Sequence, residues 1–115
     1  MNNEFATYQQ LAMRTAKPLP TSESLLHAAL GLAGEAGEFA DCIKKHWVYG
    51  QKLDVQNAIE EIGDCLWFCA LACETLGVDM GQVAAMNIDK LRKRYPEKYA
   101  DELAALRADK QRELV

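Results

Sequence analysis

The sequence predicts an all-α protein, with a four-helix, bundle-like fold and a helical C-terminal tail. Apolar residues recur at the spacing of one helix face along most of the chain, and no stretch alternates as a half-buried strand does. The periodic stretches are separated by prolines, glycines and helix-capping residues. The 115 residues are enough for one domain with a sizeable core.

Proline and capping residues bound the first two helices. The first is expected from about Glu4 to Ala16, because the Lys-Pro-Leu-Pro segment that follows breaks a helix. Thr21 or Ser22 would cap the second helix, which runs to about Val48. We therefore expect a short helix followed by a long one.

Capping signals also bound the third and fourth helices. Asp54 is a candidate N-cap for the third helix, and Gly77 is a candidate C-cap at its end. Asp79, with Gln82 three residues later, resembles a capping box that opens the fourth helix. Pro96 would end that helix.

The domain is expected to span residues 1–96, with residues 97–115 as a tail that has only a thin apolar stripe. Past Cys65 the third helix is apolar on nearly all sides, because Trp67 and Phe68 lie opposite much of the stripe. A helix that is apolar all round is buried. In a chain this short, burial from both sides indicates a partner subunit, and we expect a homodimer or homotetramer.

The charge distribution excludes some classes of partner. Net charge is −4, and residues 1–85 carry eleven acidic but only five basic groups. Sequence-independent binding to nucleic acid needs a basic surface, so no nucleic acid partner is expected. No apolar run approaches the roughly 18 residues of a membrane span, and the N-terminus lacks a signal-peptide pattern. We expect no membrane contact and a cytoplasmic location.

Two acidic pairs are the most informative motifs. Glu35 and Glu38 lie in the second helix, Glu61 and Asp64 lie in the third, and both pairs have i, i+3 spacing and a glycine before the second acid. Such spacing puts two carboxylates on one side of a helix. In both helices the pair lies beyond the same edge of the apolar stripe, so the pairs would converge where the helices pack.

Four converging carboxylates need a compensating cation. Like charges about 4 Å apart repel by roughly 4 kcal/mol at an effective dielectric near 20. Oxygen ligands without histidine or thiolate at matching spacing suit Mg²⁺, with Mn²⁺ as a substitute, better than zinc. The alternative is two solvated acidic helix surfaces without a metal.

Polar residues also interrupt the apolar stripes of the first and fourth helices. Gln9 lies within the first stripe and Asn87 at the centre of the fourth. Buried amides need hydrogen-bond partners, so each either makes a structural bond or faces a ligand in a cavity. Lys90 and Arg94 follow Asn87 at i+3 and i+7 and are candidates for contacting phosphate, although basic runs are often solvated. Lys45, on the Glu38 side of the second helix, is a weaker candidate.

Phe68 lies one turn after Asp64 and is a candidate for stacking on a base, although aromatic residues at helical spacing are more often core. His27 and His46 are too isolated for a nucleophilic triad or a zinc site.

Three segments carry a family resemblance: Gly31-Leu-Ala-Gly-Glu-Ala-Gly-Glu38, Glu60-Glu-Ile-Gly-Asp-Cys-Leu-Trp67 and Asn87-Ile-Asp-Lys-Leu-Arg-Lys-Arg-Tyr-Pro96. Together they resemble the MazG-like nucleoside triphosphate pyrophosphohydrolases, an all-α superfamily that includes dimeric dUTPases and phosphoribosyl-ATP pyrophosphohydrolase. The resemblance covers about residues 4–96. The tail after Pro96 resembles nothing in the family.

The resemblance implies an Mg²⁺-dependent enzyme that hydrolyses nucleoside triphosphates, including deoxy or modified ones, to monophosphate and pyrophosphate. It implies metal binding by the two acidic pairs, and nucleotide binding by Asn87, Lys90 and Arg94. Metal held by these acids would neutralise phosphate charge and help activate water. Glu38 is the acid we expect to serve as general base if one of the four accepts the proton instead.

Two other interpretations of the chain differ in class. One is a non-catalytic helical protein that senses nucleotides or pairs with a partner through its third helix, which the four crowded carboxylates disfavour. The other is a carboxylate-bridged di-iron bundle, which needs Glu-x-x-His pairs that the chain lacks.

Overall fold

The computed structural model describes residues 4–110, and it is helical throughout apart from turns and connections. The helices in chain order are α1 (Glu4–Met13), α2 (Thr21–Trp47), α3 (Val55–Leu76), α4 (Met80–Arg94) and α5 (Asp101–Leu106), followed by the short 3-10 helix η1 (Ala108–Lys110). The predicted all-α class is confirmed over these residues. The last five residues of the predicted tail lie outside the described part of the chain.

Helices α2 and α3 form the principal packing contact, and α1 contacts both α3 and α4. Within residues 4–110, none of the helices is long and apolar enough to cross a membrane.

The predicted ends of α3 and α4 are confirmed. The Asp54 side chain accepts a hydrogen bond from the backbone N–H of Asn57 at 3.0 Å. Gly77 closes α3 with a φ of 72°, a left-handed conformation that glycine adopts without strain. Asp79 and Gln82 form the capping box at the start of α4. These local hydrogen bonds satisfy backbone groups that a helix end would otherwise leave unpaired.

The start of α2 differs from the prediction. Pro20, not Thr21 or Ser22, occupies the N-cap position, and no side chain caps the helix. The Pro20 carbonyl accepts the first helical hydrogen bond, from the N–H of Ser24 at 2.9 Å. Proline has a φ already fixed near the value it needs here, so Thr21 becomes the first helical residue.

The first helix ends at Met13, earlier than the predicted Ala16. The Thr15 hydroxyl donates to the Ala12 carbonyl at 2.7 Å, and the Thr15 N–H bonds the same carbonyl. A side chain that bonds nearby backbone competes with continued helix, so the chain turns here.

The buried core lies where α1, α3 and α4 meet. It is built from small or flexible side chains, namely Ala12, Ala70, Cys73 and Met80. Partly buried side chains pack against it from outside, namely Tyr8, Met13, Trp67 and Cys69. Small core residues allow the three helices to approach closely.

Much of the apolar surface is exposed. The chain has 8773 Å² of accessible surface, whereas a compact monomer of this length exposes about 6,300 Å². The predicted stripes of α2, α3 and α4 are only partly covered, with Leu25 39%, Ile62 50% and Val83 43% exposed. Asn87 was predicted to interrupt a buried stripe, but in the single chain it is exposed, as are Val83 and Leu91, while Met80 of the same stripe is buried.

Candidate metal centre

Three of the four predicted metal-binding acids meet between α2 and α3. Ligand oxygens of Glu35, Glu61 and Asp64 all lie within 4.8 Å of one another. Glu35 and Glu61 are half-buried, and Asp64 is exposed. A single cation placed among them would therefore contact the protein on one side and solvent on the other.

The packing of α2 against α3 explains this convergence. Gly31 lies against the ring of Phe68, and one turn further along α2 Glu35 lies beside Glu61 and Asp64, which come earlier in α3. The two helices therefore run in opposite directions with these positions aligned. A Cβ added at Gly31 would come within 2.1 Å of the Phe68 ring, so glycine is needed for this close approach.

Glu61 has the surroundings that most favour a bound cation. Its Oε2 atom is buried and has no hydrogen-bond partner among the described residues. Hydrogen bonding with Glu35, partial burial and repulsion from neighbouring acids raise the pKa of Glu61 above its ordinary value. A carboxylate in this setting is stabilised by a cation, and carboxylate oxygens are the ligands that Mg²⁺ and Mn²⁺ prefer.

Glu38 stands apart from the three-acid group. It is exposed on α2 and influences Glu61 as a nearby negative charge. A step of three residues turns a helix by about 300°, which leaves Glu38 roughly 60° around the helix from Glu35. Its predicted roles as ligand and general base stay predictions.

Lys45 forms an ion pair with Asp41. Its Nζ lies 3.0 Å from a carboxylate oxygen of Asp41, and the Lys44 Nζ lies 3.2 Å from the other oxygen. These contacts hold the pKa of Asp41 below its ordinary value. The Lys45 side chain is 55% exposed and its ammonium group has three N–H donors, so the ion pair leaves it able to contact a phosphate.

Gln9 makes structural hydrogen bonds. Its Nε2 donates to the Val78 carbonyl at 3.1 Å and to Glu74 at 3.2 Å. Its Oε1 accepts from the Met80 N–H at 2.7 Å. The amide thus joins α1 to the α3–α4 turn, beside an open depression of about 630 Å³. The depression is separate from the three acids, and the bonding of Gln9 is satisfied without a ligand.

The predicted phosphate row on α4 divides into free and engaged residues. Asn87 and Lys90 are exposed. The Arg94 guanidinium instead donates from Nε and Nη2 to the two carboxylate oxygens of Asp109, at 2.6 and 3.1 Å. The Asp109 side chain is 2% exposed, so this pair fastens η1 to the end of α4.

Tyr8 is a residue near the metal centre that sequence reasoning missed. Burial, followed by repulsion from the Asp64 carboxylate, raises the pKa of the Tyr8 phenol, so Tyr8 lies within electrostatic range of one of the three acids. The apolar stripe identified Tyr8 as a core residue, and it does pack against the core. Nothing in the sequence fixes how α1 crosses α3, so its proximity to Asp64 could not be foreseen.

The fold and the centre define an all-α protein with a cluster of carboxylates between two antiparallel helices. Residues 21–99 match the MazG nucleotide pyrophosphohydrolase domain, and the matched range contains the three acids and helices α2 to α4. The chain therefore belongs to the MazG family, as the three sequence segments predicted. This membership indicates a nucleotide pyrophosphohydrolase.

The chain is also similar to the Gene 37 protein of Mycobacterium phage L5. The two are 33% identical over 76 residues, which cover 63% of this chain and 67% of that protein. No solved structure gave a significant match.

Proposed function

We propose that this protein hydrolyses nucleoside triphosphates, including deoxy or modified ones, to nucleoside monophosphate and pyrophosphate in the presence of Mg²⁺. The observation that carries the proposal is the convergence of Glu35, Glu61 and Asp64, with an unpartnered buried oxygen on Glu61. In a chain of the MazG family, such a cluster is suited to a cation that accompanies the triphosphate.

Glu35, Glu61 and Asp64 would hold the cation. A bound Mg²⁺ supplies charge neutralisation for phosphate oxygens and lowers the pKa of coordinated water. Glu38, exposed beside the cluster, is the acid we propose to accept the proton of the attacking water. Its solvent exposure leaves room for both a water molecule and a phosphate.

We propose fewer substrate-contacting residues than the sequence predicted. Lys90 and Asn87 are exposed and available to phosphate and sugar oxygens. Phe68, half-buried and one turn from Asp64, is a candidate for contacting the base. Arg94 is paired with Asp109, and Gln9 bonds the α3–α4 turn, so we assign neither a direct contact with substrate. Lys45 is paired with Asp41 at the surface and stays a weaker candidate for contacting phosphate.

We also propose that the active form is a homodimer or homotetramer. The exposed apolar surface of α2 and α3 supports this. Obligate homodimers bury 2,000 Å² or more in total. The excess exposed surface is of that order.

We also propose that the protein acts in the cytoplasm and has no nucleic acid or membrane partner. All four cysteines are free, as expected in a reducing compartment. The acidic body of the chain disfavours a polyanionic partner.

Incubation of the pure protein with Mg²⁺ and a panel of ribo- and deoxynucleoside triphosphates tests the proposal. Chromatography should show monophosphate and pyrophosphate in equal amounts for at least one substrate, and none after chelation of the metal. Orthophosphate and diphosphate as products would contradict the proposed bond. Tight nucleotide binding without any product would favour a non-catalytic sensor instead.

A further inference from the structure

Three aromatic rings meet on the α2–α3 seam beside the metal centre. The His27 ring centroid lies 5.4 Å from that of Phe68, nearly edge-on, and 6.3 Å from that of Trp67. Trp67 and Phe68 themselves meet edge-to-face at 5.0 Å. We call these three residues the aromatic cluster.

The aromatic cluster and the acids occupy consecutive turns of the same seam. On α2, His27, Gly31 and Glu35 follow one another at four-residue steps. On α3, Phe68 comes one turn after Asp64. One such step advances about 6 Å along a helix. A nucleotide with its phosphates at the acids would therefore bring its base toward the aromatic cluster.

Two of the rings are fixed in place by the fold. The Trp67 Nε1–H donates to the Thr15 hydroxyl at 2.9 Å, which ties the indole to the end of α1. The Phe68 ring occupies the space that a side chain at Gly31 would fill. These contacts explain both aromatic residues without a ligand, and they make the pair a rigid platform.

His27 is different, because packing does not explain it. The side chain is exposed, and within residues 4–110 its imidazole makes ring contacts but no hydrogen bond. A neutral imidazole carries one donor and one acceptor, so it can both stack and bond the edge of a base. The other histidine, His46, bonds the Gln51 carbonyl through Nδ1 at 2.8 Å.

We propose that His27 contacts the base of the nucleotide and determines base preference, with Trp67 and Phe68 as the platform that holds it. The inference deepens the proposed function, since it assigns the base end of the same substrate. His27 takes no part in the chemistry at phosphorus and is a specificity residue.

Trp67 provides a direct readout of this site. The chain contains two tryptophans, so Trp47→Phe leaves Trp67 as the single indole. Fluorescence of that variant is followed while nucleoside monophosphates of the different bases are added in the presence of Mg²⁺. Monophosphates have no bond that this protein would cleave, so the titration reports base binding apart from hydrolysis.

His27→Ala is compared with His46→Ala in this background. His46 also has an aromatic neighbour, since its ring lies 5.7 Å from that of residue 47 in the wild type, but it lies near the opposite end of α2. Loss of a base contact should weaken monophosphate binding at least about fivefold in His27→Ala and level the differences between bases, because stacking and edge contacts are lost. His46→Ala should bind like the parent.

Equal affinities and an unchanged base ranking in His27→Ala would overturn the inference, as would a parent protein that binds no monophosphate. Pyrophosphate release from triphosphates is measured on the same variants. If hydrolysis is absent while His27→Ala still loses base binding, the base site stands and the proposed function fails. If hydrolysis occurs with a base ranking that His27→Ala leaves unchanged, the proposed function stands and the base site fails.

Discussion

The Glu61 carboxyl group lies between Glu35 and Asp64, and one of its oxygens is buried without a hydrogen bond in the described chain. Repulsion among these acids destabilises the metal-free fold, because unfolding would let them separate in water. A cation that binds the folded state reverses this effect and adds stability by mass action. The same residue therefore links metal binding to stability.

Glu61→Gln should raise the melting temperature of the metal-free protein by a few degrees, because it removes one of the crowded charges. It should also abolish most of the stabilisation that wild type gains from Mg²⁺. Differential scanning calorimetry with chelator and then with Mg²⁺ measures both effects. Glu60→Gln is the matched control, since Glu60 is the exposed neighbour. Equal Mg²⁺ shifts in both variants would contradict the proposed site.

Replacing each of two glycines of α2 by alanine should change the stability of the protein in opposite directions. Gly31→Ala would force the Phe68 ring to move and should destabilise the protein by about 1–3 kcal/mol, as overpacking does. Gly34→Ala meets no atom within 4 Å and should gain up to about 1 kcal/mol from helix propensity. Urea denaturation gives the free energies of unfolding. Similar losses in both variants would show that Gly34 is also tightly packed in solution.

At the scale of helices, local signals predicted most boundaries. Asp54, Gly77 and the Asp79 capping box act within a few residues of themselves, so their geometry follows from the sequence. Gln9 was identified as an unusual polar residue, but its partners at Val78 and Met80 lie about seventy residues away along the chain. Which partner such a side chain finds depends on helix packing, which local patterns do not encode.

The difference between local signals and packing contacts also applies to Asn87, Lys90 and Arg94 on α4. Helix periodicity correctly put Asn87, Lys90 and Arg94 along one helix. It could not show that Arg94 would be taken by Asp109, because the tail has no strong pattern that places η1 against α4.

The Arg94–Asp109 pair should make the stability of the tail contact depend on pH. Hydrogen bonds from Arg94 hold the pKa of Asp109 below its ordinary value. A lowered folded pKa means that the stabilisation is fully present above the unfolded pKa, about 3.9, and is lost as pH falls through the folded pKa. Asp109→Asn should therefore be less stable than wild type at pH 6, with the difference shrinking below about pH 4.

Parallel urea titrations of wild type and Asp109→Asn from pH 7 to pH 3 measure this difference. Other carboxyl groups titrate equally in both proteins and cancel in the comparison. A difference that stays constant over the whole range would mean that ionised Asp109 adds nothing to the tail contact.

For the molecule as a whole, the sequence predicted more burial than the chain alone achieves. The apolar stripes exist, but Ile62 and Leu91, which belong to them, are 50% and 42% exposed. Periodicity identifies which face of a helix is apolar, and it cannot distinguish cover by the same chain from cover by another copy. The acidic pairs were easier to place, because they lie on the two helices that pack most extensively.

Self-association through α2 should be visible in solution. Sedimentation equilibrium should give a mass of at least two chains, and Leu30→Glu should shift the protein toward monomer by putting charge in an apolar contact. Ser22→Glu, an exposed change in the first turn of the same helix, should leave the mass unchanged. A monomeric wild type at all concentrations would contradict the proposed assembly.

The most direct test of the metal centre is the rate of pyrophosphate release from a preferred triphosphate at saturating Mg²⁺, compared between Glu61→Gln and Glu60→Gln. The two acids are adjacent in sequence, but Glu61 alone belongs to the cluster. Loss of a ligand should lower the rate of Glu61→Gln at least about a hundredfold, while Glu60→Gln stays near wild type. Equal rates in the two variants would contradict the assignment of the cluster as the catalytic metal site.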